Sequence, residues 1–137
     1  MGCDIHAHFE IKVDGEWLHY SQANFNRNYR LFEKMAGVRG EVRNAIVPPK
    51  GLPKDISKVT ALEVEDWGPD AHTFSWLNAD EIKEIYEFHQ KQYEDGWRIS
   101  TDQWHYLYCN GWEYFKEFRG EYQKWVEDIR LIFWFDN

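Results

Sequence analysis

The feature that most constrains the fold is the alternation of apolar and polar side chains from Cys3 to Val13. Successive residues of a strand point to opposite faces, so a period of two predicts a β-strand with one apolar and one polar face. Asp14 and Gly15 follow, and both tolerate the positive φ that a two-residue hairpin turn requires. The returning strand is then Glu16 to Tyr20. Its predicted register sets Val13 against Glu16, Leu18 against Ile11, His19 against Glu10 and Tyr20 against Phe9.

The polar face of this strand has the composition of a metal site. Side chains two residues apart on a strand lie about 6.5–7 Å from each other, so His6 and His8 can approach one ion from a rigid base. Asp4 and Glu10 flank them, and the predicted hairpin adds His19. Imidazole with carboxylate suits a divalent metal, zinc first, with manganese, iron or nickel as alternatives. The competing interpretation is an ordinary solvated strand face.

Further elements follow from local patterns. Residues Asn28 to Ala36 predict a short helix with three apolar side chains inward, ended by Gly37 in the left-handed conformation. A Pro- and Gly-rich stretch between Gly40 and Asp55 predicts a surface loop, and a short helix is predicted after Ser57. Asn78 and Glu81 form a capping box at the start of a helix that is predicted to reach about Tyr93.

The last third of the chain is predicted less directly. Residues 101–126 are rich in aromatics and are interpreted as mainly helical, whereas Asp128 to Asp136 predicts a strand buried on both faces. The fold class is therefore α+β, with a small antiparallel sheet, containing the N-terminal hairpin and the C-terminal strand, packed against two to four helices on its apolar face. The length of 137 residues predicts a single domain spanning residues 1–137.

Composition limits the partners. The 24 acidic and 16 basic residues give a net charge of −8, which disfavours general binding to nucleic-acid backbones. A small anionic substrate, bound through a local metal, or a host protein is the expected partner, and assembly into a homo-oligomer is left open. The two cysteines are far apart in sequence, and no signal peptide or apolar run of about 18 residues is present, so the expected location is the cytoplasm and no membrane contact is expected.

A second polar cluster comprises Asp70, His72 and Ser75, which are interpreted as a loop between Pro69 and Asn78. Loops held by a scaffold carry functional groups, but these side chains could equally cap the turn and the next helix. Asp136, at the end of the terminal strand, is a third polar group, and the alternative for it is simple solvation at a chain end.

Several stretches of the chain resemble a family of small proteins encoded by bacteriophages and prophages. The matching stretches are MGCDIH at 1–6, RNYRLF at 27–32, GVR at 37–39, GLP at 51–53, DAHTFSWL at 70–77 and FDN at 135–137. The resemblance implies a phage or prophage origin and one shared site drawn from separated segments, but no particular activity. Asp4 to His8 also resembles the Asp-x-His-x-His metal motif of amidohydrolases, although the barrel of those enzymes needs about 250 residues.

Two functional hypotheses follow. The first is a metal-dependent hydrolase of a phosphoester or nucleotide, with Asp70 and His72 as catalytic groups. The second is a binding protein, either an inhibitor of a host factor or an anti-defence protein that sequesters a nucleotide, with a structural metal or none. The candidate metal ligands are Asp4, His6, His8, Asp70, His72 and Asp136. The candidate ligand-binding residues are Glu10, His19, Arg27, Asn28, Trp67, Ser75 and Trp76.

Overall fold

The described part of the chain folds into one four-stranded antiparallel sheet and three α-helices, the α+β class that the sequence predicts. The structure, a computed structural model, describes residues 2–96 and 125–137. The strands are β1 (Asp4–Val13), β2 (Glu16–Ala23), β3 (His72–Asn78) and β4 (Val126–Asp136), in the spatial order β2-β1-β4-β3. The helices are α1 (Tyr29–Ala36), α2 (Lys58–Trp67) and α3 (Ala79–Glu94).

The β1–β2 hairpin confirms the predicted turn and most of the predicted register. Asp14 has φ 50° and Gly15 has φ 76°, the pair of positive values that a tight hairpin turn uses. Val13 pairs with Glu16, Ile11 with Leu18 and Glu10 with His19. The prediction that Tyr20 faces Phe9 is wrong, because the register shifts after Glu10 and Phe9 pairs with Ser21 instead. Such a β-bulge leaves one residue of the longer strand without a partner.

Strand β4 is central, because it pairs with β1 on one side and β3 on the other. This confirms the predicted C-terminal strand, which is almost wholly buried from Ile129 to Phe135. Its Phe133 and Phe135 join Ile5, Ala7 and Phe9 of β1 in the main core, beneath α1 and α3. The helical interpretation of residues 101–126 lies outside the described residues, apart from positions 125 and 126, where β4 begins.

Helices α1 and α3 begin and end at the signals that the sequence carries. The Asn28 side chain accepts a hydrogen bond from the Leu31 amide, and Gly37 ends α1 with φ 77°. The capping box of Asn78 and Glu81 opens α3. The predicted inward face of α1 is confirmed, since Leu31, Phe32 and Met35 are buried. Helix α3 buries Ile82, Ile85 and His89, with Tyr86 partly buried against the core.

Strand β3 corrects the prediction of a loop between Pro69 and Asn78. The segment pairs with β4, but the four residues from His72 to Ser75 lie opposite only three residues of β4, Phe133 to Phe135. Thr73 sits in this bulge with φ 56°, a left-handed conformation that a β-branched residue rarely adopts. The bulge interrupts the period of two, which is why the sequence pattern did not indicate a strand here.

The second face of the sheet is covered too, contrary to the expectation that helices pack on the apolar face alone. Helix α2 lies over the polar face of β1, with its Trp67 ring 4.1 Å from the His6 ring and its Thr60 hydroxyl 2.8 Å from Glu10. His8 and Glu10 are consequently buried rather than solvated. None of the described helices is long and apolar enough to cross a membrane.

Candidate functional site

The candidate site lies on the polar face of β1, at the end of the sheet where β1 begins and β4 ends. Asp4 pairs with Asp136 across the two strands, and His6 pairs with Trp134. Residues directly opposite in an antiparallel pair share a face, so these side chains are neighbours. Helix α2 closes the face from above through Trp67.

His6 and Asp136 form a hydrogen-bonded imidazole–carboxylate pair. His6 Nε2 lies 2.8 Å from Asp136 Oδ2, and the two side chains are 17% and 16% exposed. A carboxylate accepts the proton of the ring nitrogen that faces it, so this contact favours the tautomer protonated on Nε2. The lone pair then lies on Nδ1. Trp67 packs at 4.1 Å and Trp134 at 6.0 Å between ring centroids, which fixes the plane of the imidazole.

Asp4 and Arg27 form the exposed part of the site. Arg27 Nε donates to Asp4 Oδ1 at 2.7 Å and Nη2 donates to Oδ2 at 3.3 Å. This guanidinium lowers the pKa of Asp4 below its ordinary value. Two carboxylates placed directly opposite each other, as Asp4 and Asp136 are, repel one another, and here each has its own donor in Arg27 or His6.

A polar cleft of about 510 Å³ adjoins Asp4 and His6. Asp4, His6 and Arg27 line it together with Gln22 and Asn26 from the end of β2 and the following loop. Its size falls within the range of pockets that accept small molecules. The cleft therefore brings an oriented imidazole, a guanidinium and amide groups to one surface.

His8 and His19 form a second, deeper pair. His8 Nδ1 lies 2.9 Å from His19 Nε2, and His8 Nε2 lies 2.5 Å from Glu63 Oε2 in a close contact that is not aligned as a hydrogen bond. Burial lowers the pKa of His8, and Glu63 opposes that shift. The His8 side chain is only 1% exposed and stacks on Trp134 at 5.5 Å, so it is out of reach of a substrate in the cleft.

Glu10 is the most tightly held group on this face. It is fully buried, and its Oε1 accepts from Arg130 Nε at 2.9 Å and Nη2 at 2.7 Å. Its Oε2 accepts from the Ser57 amide at 3.0 Å, the Ser57 hydroxyl, and the Thr60 hydroxyl at 2.8 Å. Every lone pair is occupied by a donor of the fold, so Glu10 anchors α2 to the sheet rather than binding a ligand.

The remaining predicted site residues lie elsewhere. The bulge at Thr73 sets His72 opposite Phe135, on the α1 side of the sheet, so the structure does not bring His72 to His6. Asp70 is exposed in a short 3₁₀ turn, Gly68–Asp70. Ser75 is buried, where its hydroxyl accepts from the Lys50 amide at 3.0 Å. Asn28 and Trp76 have structural contacts instead. The Asn28 side chain caps α1, and the Lys50 ammonium lies 3.8 Å from the centroid of the Trp76 ring.

The donor set does not form a ready metal centre. Within residues 2–96 and 125–137, no three His, Cys, Asp or Glu side chains come together as a metal-binding group. The Asp4, His6 and Asp136 side chains share one end of the sheet, but Asp4 is held by Arg27 and Asp136 by His6. The divalent metal therefore stays a prediction from the sequence.

The sequence interpretation missed several partners of these residues. Glu63 and Thr60 reach the face only because α2 crosses it, and no local pattern indicates that crossing. Arg130 did carry a signal, since a cation inside a strand that is buried on both faces requires a buried anion. Trp134 is a further partner that was missed, and its ring lies fully buried between His8 and Phe74.

Comparisons with protein-family models, with curated proteins and with solved structures find no match to this chain.

Proposed function

We propose that the cleft beside His6 is the active site of a hydrolase that acts on a small anionic ester, a phosphoester or nucleotide in the first instance. The observation that carries the proposal is the 2.8 Å contact of His6 with Asp136 at the edge of the 510 Å³ polar cleft. An imidazole oriented by a carboxylate and partly open to solvent is the arrangement that general-base catalysis needs.

His6 is the proposed catalytic base. With Nε2–H donated to Asp136, Nδ1 holds the lone pair that takes a proton from an attacking water. Asp136 is a positioning residue, because it fixes the tautomer and stabilises the imidazolium that forms during the reaction. The flanking Trp67 and Trp134 rings restrict rotation of the imidazole, so the base is pre-organised before a substrate binds.

Arg27 is the proposed anion-binding group of the cleft. Its guanidinium carries five donors in a planar fork suited to phosphate or carboxylate, and it already holds Asp4 in this way. A substrate anion would compete with Asp4 for the same donors, and the oxygens of a phosphoryl group match the planar fork as the carboxylate does. Trp67, half-buried over His6, supplies a flat surface on which a base could stack.

The test is hydrolysis of bis-p-nitrophenyl phosphate and of cyclic nucleotides by purified protein, with and without EDTA. We expect His6→Asn and Asp136→Asn to lower kcat by about 10²- to 10⁴-fold. Asp128→Asn is the matched control, because Asp128 lies at the other end of β4, opposite Lys12, and should leave kcat unchanged. A wild-type protein that hydrolyses none of these esters, or a His6 variant as active as wild type, refutes the proposal.

The metal hypothesis is tested in the same experiment. A divalent ion could take Asp4, His6 and Asp136 as ligands if it displaced Arg27 from Asp4, and it would activate water and neutralise phosphate charge. Elemental analysis of the untagged wild type beside His6→Ala decides whether a metal is bound. Stoichiometric metal in the wild type that is lost in the variant supports the metal hypothesis. Activity that survives EDTA, with no bound metal, leaves the imidazole as base.

The alternative proposal is a binding protein that holds the same anion, or a host protein, without turnover. It is supported by the way α2 covers the polar face of β1. This cover buries His8 and leaves only partly exposed groups, such as His6 and Asp136, within reach of a ligand. Saturable binding of a nucleotide that His6→Asn retains, with no hydrolysis by either protein, favours it. For both functions we propose a cytoplasmic location, in keeping with the free thiol of buried Cys3, and a phage or prophage origin.

A further inference from the structure

The two strands of the N-terminal hairpin separate at the end of the sheet that carries His6. Their last paired residues are Ala7 and Ala23, three positions after β1 begins. Among the described residues, positions 4–6 of β1 therefore pair with β4 on one side and with no strand on the other. The cleft of about 510 Å³ fills this opening, because residues 4–6 and residues 22–27 line it.

Positions 4–6 of β1 present backbone polar groups to this opening. Along an antiparallel strand, the N–H and C=O groups of successive residues point alternately toward the two neighbouring strands. At least one of these three residues therefore directs its N–H and C=O toward the cleft. An edge of three residues is short for a peptide to add as a strand, since strands usually contain about five or six residues. The opening is better suited to a small planar molecule with donors and acceptors along its edge.

Carboxamide side chains line the opposite wall of the cleft. Gln22 pairs with His8, which sets it on the polar face of the sheet. The same register, extended by two residues, would set Asn24 beside His6. Ala23 lies between them and is buried in the core, whereas Gln22 and Asn24 are exposed. The cleft thus has two carboxamides on one side and the proposed catalytic base on the other.

The chemistry of a carboxamide indicates what it would recognise. Each carboxamide carries an NH₂ donor next to a carbonyl acceptor. Nucleobases present the same combination along their edges, and Asn and Gln bind adenine through two such hydrogen bonds. A sugar phosphate or a simple aryl phosphate lacks an edge of this kind. Two carboxamides in one cleft therefore favour a ligand that contains a base over the other phosphoesters.

Arg27 provides the anion-binding end of the same cleft. Its guanidinium is held by Asp4 and also lies against Gly2, where a Cβ atom would overlap it. Glycine at position 2 leaves the space that this orientation of Arg27 requires. Arg27 follows Asn24 by three residues, which limits the distance between their Cα atoms to about 10 Å. Base recognition and phosphate binding can therefore involve the two ends of one small molecule.

We propose that the ligand of the cleft beside His6 is a nucleotide, with its base bonded to the carboxamides of Gln22 and Asn24 and its phosphoryl group on Arg27. This inference rests on the proposed function, because it assigns the substrate class of the same site. Gln22 and Asn24 are specificity-determining residues, since they contact the base rather than the scissile ester. The volume of the cleft accommodates a ligand of about mononucleotide size.

Binding is measured in full-length His6→Asn, which lacks the proposed general base, so that each nucleotide stays intact during the measurement. Isothermal titration calorimetry compares AMP, GMP, CMP and UMP with ribose 5-phosphate, which has the same charged group and no base. We expect at least one nucleotide to bind about tenfold more tightly than ribose 5-phosphate. Four nucleotides that bind no more tightly than ribose 5-phosphate, or that do not bind, overturn the proposal.

Second substitutions in this background locate the base. Gln22→Ala and Asn24→Ala should each weaken binding of the preferred nucleotide about tenfold and leave that of ribose 5-phosphate unchanged. Arg27→Ala should weaken both ligands, because it removes the partner of the phosphoryl group. Gln90→Ala is the matched control, because Gln90 lies on α3, over the opposite face of the sheet, and bonds to Glu94. Nucleotide binding that survives both carboxamide substitutions, or that weakens equally in Gln90→Ala, overturns the proposal.

The outcomes separate this proposal from the hydrolase. Base-dependent binding by a protein that hydrolyses none of the esters refutes the hydrolase and retains the nucleotide site. Hydrolysis of bis-p-nitrophenyl phosphate, with equal binding of the nucleotides and ribose 5-phosphate, does the opposite. Circular dichroism of each variant confirms that a loss of binding is not a loss of folding.

Discussion

Replacing the buried carboxylate of Glu10 by its amide should be among the most destabilising isosteric changes in this protein. In Glu10→Gln, one oxygen becomes an NH₂ donor, and both positions it can take already face donors. One position faces Arg130 Nε and Nη2, at 2.9 and 2.7 Å, and the other faces the Ser57 amide and the Thr60 hydroxyl, at 3.0 and 2.8 Å. Either orientation of the amide opposes donor to donor.

The magnitude follows from the charge that is left behind. Glu10 is 0% and Arg130 is 4% exposed in the ion pair, and breaking a buried pair from one side typically costs about 3–5 kcal/mol. Arg130 keeps a second partner, Asp55 Oδ1 at 2.8 Å, which is itself 66% exposed. Because Arg130 keeps this partner, we expect Glu10→Gln to lower the free energy of unfolding by about 3 kcal/mol, the lower end of that range.

The assay is urea unfolding followed by tryptophan fluorescence, with the slope m compared between variants. Glu87→Gln is the control, because its pair with Lys83 is an exposed contact of 3.9 Å, and it should change the free energy of unfolding by less than about 0.5 kcal/mol. Asp55→Asn should cost more in the Glu10→Gln background than alone, since Asp55 is then the remaining anion for Arg130. A loss below about 1 kcal/mol in Glu10→Gln, at unchanged m, refutes the buried-charge argument.

Three further predictions concern other parts of the fold. Burial lowers the pKa of His8 from 6.5, so its contribution to stability is present above pH 6.5 and is lost as the pH falls below that value. His8→Gln should therefore reduce the drop in urea midpoint between about pH 7.5 and 5.5. A drop as large as that of the wild type would contradict this role of His8. Thr73→Asn should raise the free energy of unfolding by about 0.5–1 kcal/mol, because Asn tolerates φ 56°; a lower urea midpoint would show that the bulge is not strained. Asn78→Ala should cost about 1 kcal/mol by removing the cap of α3, and thermal denaturation with an unshifted midpoint would argue against the capping box.

Local sequence patterns determined the elements whose physics is itself local. The alternation of Cys3 to Val13 predicted which face of β1 is apolar, because side-chain direction along a strand depends on residue parity alone. The Asp14-Gly15 turn fixed the pairing as far as His19, since a two-residue turn sets register for the residues nearest to it. The capping box similarly predicted where α3 begins, and Gly37 predicted where α1 ends.

The candidate site depended on contacts that no local pattern records. His6 and Asp136 were both selected from the sequence, but their hydrogen bond exists because β4 pairs antiparallel with β1 in the register that sets Asp136 opposite Asp4. Helix α2 buries His8 and Glu10 by packing over the polar face of β1, and this contact also joins segments that are distant in the chain.

One bulge shows most clearly where the sequence stopped being sufficient. Asp70 and His72 were expected across from His6, and a regular strand through Phe74 would have kept His72 on that face. The extra residue at Thr73 turns His72 to the other side of the sheet and into a different cavity. The sequence thus determined the strand faces, the turn and the helix caps, whereas tertiary structure decided which polar groups meet. A one-residue shift reverses every side chain beyond it, and the packing that stabilises the shift comes from segments distant in the chain.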